Sequence, residues 1–125
     1  MLRRFVLLAA VATVAAAPVH AAGIDLSKPH GNKSGCINKD GQQVYAEDML
    51  LVTASELVTA ASACTILQKR AQEDGSLLLN TMCEVEGEDG KSPADFTIRP
   101  SPKNRNRLIL ADDSGFVMGE VAQCR

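Results

Sequence analysis

Cys36, Cys64, Cys83 and Cys124 constrain this chain more than any other feature, because they form an even set behind what reads as an export signal. Met1-Leu2-Arg3-Arg4 is a basic start, Phe5 to Ala17 is uncharged and almost wholly apolar, and Val19-His20-Ala21-Ala22 puts small residues ahead of a peptidase cut. As a helix that apolar run rises only ~20 Å, short of the ~30 Å hydrocarbon core. The expectation is therefore a signal peptide over 1–22, cleaved before Ala22 or Gly23, and a product with no membrane span. The short leader is of a bacterial kind, which favours the periplasm, with secretion as the alternative. In such an oxidising compartment four thiols pair, so two structural disulfides are expected.

Four cysteines allow three pairings, and sequence alone does not select one, but the spacing states a preference. Thr65-Ile66-Leu67 and Leu77-Leu78-Leu79 flank the turn-type cluster Glu73-Asp74-Gly75-Ser76. Folded back as a hairpin, Cys64 and Cys83 stand symmetrically about that turn, where cross-strand Cβ atoms lie roughly 4.5–5.5 Å apart, within disulfide reach. Cys36 and Cys124 are then left to join the two ends of the domain. The chain-entropy model credits the two loops with ~3 and ~4.6 kcal/mol, comparable with the whole stability of a small domain.

The rest of the chain reads as β structure. Residues 23–47 are rich in Gly, Asn, Lys, Asp and Ser and are expected to form an irregular N-terminal arm pinned by Cys36, leaving 48–125 as a β-rich domain. Leu77, Leu79, Thr81, Cys83 and Val85 alternate with Leu78, Asn80, Met82, Glu84 and Glu86; Phe96 and Ile98 alternate with Asp95, Thr97 and Arg99. Leu108 to Leu110, the turn Asp112-Asp113-Ser114-Gly115, and Phe116 to Met118 form a last hairpin. The ambiguous stretch is 54–72. Thr53-Ala54-Ser55-Glu56 matches a helix capping box with apolar residues following at helical spacing, whereas the hairpin disulfide favours a strand over 57–68. The fold expected is mainly β, an antiparallel meander closing into a small barrel or sandwich, with a short helix within 54–72 as the alternative.

Composition removes several function classes. Lys and Arg number 13 against 15 Asp and Glu, and losing Arg3 and Arg4 with the leader leaves 11 against 15, a net charge of −4. With aromatics at 3% and no Trp, an acidic chain of this kind lacks the basic stripes and stacking rings that nucleic acid rewards. No Cys-x-x-Cys occurs, which argues against a dithiol redox site or haem attachment, and no close Cys or His pair suggests zinc. His30 is the one imidazole left after cleavage, and no Ser sits in a Gly-x-Ser-x-Gly elbow. No catalytic residue, metal or cofactor is expected. Glu84, Glu86, Glu88 and Asp89 read as a solvated acidic face, while Arg99, Lys103, Arg105 and Arg107 crowd into nine residues and are the candidate contacts for an acidic partner.

Ala61-Ser62-Ala63-Cys64-Thr65-Ile66, Cys83-Glu84-Val85-Glu86-Gly87, and Leu108-Ile109-Leu110 with Gly115 and Cys124 resemble small exported bacterial proteins of uncharacterised function, over residues 48–124. That resemblance implies a disulfide-linked extracytoplasmic β-domain and supplies no catalytic residue. Ser114-Gly115-Phe116-Val117-Met118 resembles, over those five positions alone, the Ser-Gly loop of periplasmic lysozyme inhibitors. The functional expectation is a non-enzymatic binding or accessory module for an exported protein, with an inhibitor of a secreted lysozyme or protease as the alternative.

Overall fold

In the computed structural model, residues 24–40 and 46–125 are described, so the expected leader lies outside them. Eight strands run antiparallel, each paired with its sequence neighbours: β1 (His30–Gly31), β2 (Leu50–Val52), β3 (Glu56–Thr59), β4 (Ser62–Ala71), β5 (Leu77–Val85), β6 (Ser92–Pro100), β7 (Arg107–Asp112) and β8 (Val117–Gln123). The sheet closes on itself because β1, only two residues long, pairs with both β2 and β8. The meander expected from the alternating pattern is thus a barrel rather than a sandwich. Inside the segment expected as an irregular arm, the chain supplies this closing strand and one short helix, α1 (Lys33–Asn38).

Alternation builds the interior. Val52, Leu57, Leu79, Ile98, Leu110 and Val121 are wholly buried, one each from β2, β3, β5, β6, β7 and β8, and Cys64 of β4 joins them at 1% exposure. An eight-stranded barrel is just wide enough for such side chains to fill it. With Phe96 the one aromatic in the cluster, the core is aliphatic, as the composition requires. Leu26, ahead of β1, packs into the same cluster.

Both disulfides have the expected pairing. Cys64 and Cys83 face each other directly across β4 and β5, within the core, and Cys36 of α1 joins Cys124 beyond β8. The backbone of Cys124 also donates to the Pro29 carbonyl at 2.8 Å, so the chain end is held beside β1 twice. Helix α1 sits tight on β2: a Cβ on Gly35 would lie 1.7 Å from the Leu50 carbonyl oxygen, so only glycine fits there. Asn32 fastens this contact, its side-chain oxygen accepting from Gly35 N at 2.8 Å and Leu50 N at 3.1 Å while its amide donates to the Asp48 carbonyl.

The stretch 54–72 holds strand and no helix, and the single strand expected over 57–68 is two. β3 ends at Thr59, and the chain reverses through Ala60 and Ala61 into β4. No Gly, Pro or Asn marks that turn; the Thr59 hydroxyl makes it, accepting from Ala61 N at 3.2 Å and Ser62 N at 3.0 Å. The capping-box reading failed for a related reason. Thr53 Oγ1 accepts from Ser55 N and Glu56 N, as a helix cap would, yet Thr53 N donates to the Glu56 carbonyl at 2.8 Å and the chain turns back into β3.

Candidate functional site

Strand direction gives the barrel two ends. At the upper end lie the β3–β4, β5–β6 and β7–β8 turns and the approach to β2; at the lower end lie the β2–β3, β4–β5 and β6–β7 turns, the segment before β1 and the residues after β8. Charge divides between them. Glu84 near the end of β5 and Glu86, Glu88 and Asp89 of the β5–β6 connection join Glu47, Asp48, Asp112 and Asp113 at the upper end. Lys69, Arg70, Arg99, Lys103, Arg105 and Arg125 lie toward the lower end, among the fewer carboxylates Asp25, Glu56, Glu73 and Asp74. Carboxylates outnumber cations at the upper end and cations outnumber carboxylates at the lower one, an asymmetry that orients charged partners before contact.

The upper end carries a depression of about 410 Å³. Leu50, Phe96 and Met118 give it an apolar floor, Thr59 and Ser62 a polar wall, and Glu47, Asp48 and Asp112 an acidic margin. Phe116 stands at its edge, 67% exposed, with Val117 also exposed beside it. Phe96, the other phenylalanine among the described residues, is in the core at 8% exposure, so the placement of Phe116 is conspicuous.

The turn that presents Phe116 is firmly built. One carboxylate oxygen of Asp112 accepts from Ser114 Oγ at 2.6 Å, from Ser114 N at 3.0 Å and from Phe116 N at 3.0 Å. The Asp112 backbone N–H donates to the Phe116 carbonyl, and Gly115 at φ 88° takes the left-handed conformation that closes the turn. The Ser114 hydroxyl, followed by the Phe116 and Ser114 amides, holds the Asp112 carboxyl below its usual value of 3.8, so it is charged at neutral pH.

The four basic residues singled out in the sequence do not form one patch. Arg107 is spent on Glu120, its Nε donating at 2.9 Å on the outer wall. Arg99 is exposed on β6 and acts at a distance on Asp74, Lys103 is exposed in the β6–β7 loop, and Arg105 lines a cavity at the lower end. Glu84 and Glu86 come to the acidic end, where Lys91 approaches Glu84 at 3.7 Å. Among the described residues no cluster of three or more His, Cys, Asp or Glu side chains has a metal-holding arrangement. The sequence reading missed Phe116 as a surface residue because Phe116-Val117-Met118 has the look of a buried strand; only the bonding capacity of Asp112-x-Ser114 signals that the turn extends to 116.

No protein-family model, curated protein or solved structure matches this chain. The two disulfides are consistent with an oxidising, extracytoplasmic compartment. No helix among the described residues is long and apolar enough to cross a membrane.

Proposed function

We propose that this chain is a non-catalytic binding module of the periplasm that engages a basic exported protein through the upper end of its barrel. The observation that carries this reading is Phe116, a phenyl ring two-thirds exposed on a turn fixed by Asp112, beside an apolar depression rimmed by carboxylates. Burying such a ring contributes about 1.5–3 kcal/mol, and a turn already held in one conformation loses little entropy on docking. The acidic rim selects basic partners and rejects acidic ones.

The alternative, an inhibitor of a secreted hydrolase, is favoured by the same turn: Ser114-Gly115-Phe116 presents an exposed ring beside carboxylates, and that acidic surrounding suits a basic lysozyme. Both readings are tested by passing periplasmic extract over the immobilised mature domain, wild type and Phe116→Ala. We expect one basic protein retained in stoichiometric amount by the wild type and lost from the variant; retention unchanged by the substitution refutes the upper end as the site. Adding the domain to lysozyme and protease assays separates the two, since only an inhibitor lowers turnover.

A further inference from the structure

The lower end carries a second, chemically different cavity of about 350 Å³, where the segment before β1, the β6–β7 loop and the end of β8 meet. We propose that it binds a compact oxyanion, a carboxylate or phosphate group, between Lys28, His30 and Arg105. The three come from separate stretches that the barrel joins: His30 pairs with Gln123 across β1 and β8, and Arg107, two residues beyond Arg105, pairs with Ala122. The Cys36–Cys124 disulfide fixes the residue next to Gln123.

The donors are only partly engaged: Lys28 and His30 act on Asp25 through space, without an ion pair. Among the described residues Lys39, Lys91 and Arg107 each have a carboxylate partner, whereas the side chains of Lys28 and Arg105 have neither an ion pair nor a hydrogen bond. The single carboxylate in the wall, Asp25, accepts from Ser27 N at 2.8 Å, so one of its oxygens is turned to its own backbone and the cations Lys28 and Arg105 outnumber it. The His30 ring donates from Nδ1 to the Lys28 carbonyl at 2.8 Å, which leaves Nε2 for a ligand oxygen, accepting an O–H or, once protonated, donating. Asn106 and Gln123 bring side-chain amides to the same wall. Residues bearing a planar guanidinium, an ammonium, an imidazole and two amides line one opening, a set of donors of the kind that carboxylates and phosphates take.

The test is an NMR titration of the mature domain at constant ionic strength with inorganic phosphate and, separately, with succinate, chloride serving as control. The proposal expects saturable shifts at His30, Asn106 and Gln123 with at least one of the two, the saturating probe identifying which acid group the site prefers. It expects the Lys28→Ala/Arg105→Ala double variant to bind at least tenfold more weakly, and Lys103→Ala, in the same loop but outside the cavity, to bind as the wild type does. Should the double variant melt early, Arg105→Gln alone is read in its place. Linear, chloride-like responses to both probes, binding unaltered in the variants that alter the cavity, or equal weakening by Lys103→Ala would each overturn it.

Discussion

Three aspartates in this chain do the same local work. Asp25, Asp74 and Asp112 each stand two residues before a serine and accept from its backbone N–H, at 2.8, 2.9 and 3.0 Å. In each the serine hydrogen bonds are the first cause of a carboxyl pKa held below 3.8. A folded-state pKa below the unfolded one adds stability that is present above the unfolded value and lost as pH falls through the folded value. The stability difference between wild type and Asp112→Asn should therefore be full at neutral pH and shrink below about pH 3.8, measured by urea melts across that range. Asn32 is the heavier residue, bonding Gly35, Asp48 and Leu50 at once, and Asn32→Ala should lower unfolding free energy by about 1–3 kcal/mol. A melt indistinguishable from wild type would mean that water replaces those bonds at no cost.

At the scale of elements, what was legible was whatever repeats with period two or is punctuated by Asp and Gly. β5, β6 and β7 and both hairpins around Asp74 and Asp112 follow from alternation and turn chemistry, and Cys64 opposite Cys83 follows from symmetry about the first of them. The break at Ala60-Ala61 was not legible, because alanine carries no turn preference and threonine is read as strand. The short closing strand was hidden as well, since two residues in a polar segment have no periodicity, and its role depends on partners at both chain ends. Of the site, the basic residues were visible as a cluster but not their separation, with Arg107 neutralised and Arg105 in a cavity. β4 shows a further consequence of pairing. Past a register shift between Ile66 and Gln68, its last residues pair with β5 alone, leaving an open edge on which Leu67 is 63% exposed. The bulge together with Lys69 and Arg70 blunts that edge against strand addition. Replacing both cations, Lys69→Thr and Arg70→Val, should raise self-association above that of the wild type, visible in sedimentation velocity.

At the scale of the whole molecule, two cross-links and a filled interior make a rigid body that separates an acidic, apolar-floored end from a basic, donor-lined one. Removing Cys64–Cys83 by Cys83→Ser should cost several kcal/mol, because it opens a loop and leaves a thiol unpaired in the core. His30→Ala should leave the melting temperature and capture of the protein partner near wild type, since His30 lies toward the end opposite Phe116. Recognition of an exported protein at the Phe116 end, as proposed, is tested most directly by amide hydrogen exchange of the domain with and without the partner it captures. Protection should rise over 46–50 and 112–118 and stay unchanged over 101–106; protection confined to 101–106 and the segment before β1 would contradict it.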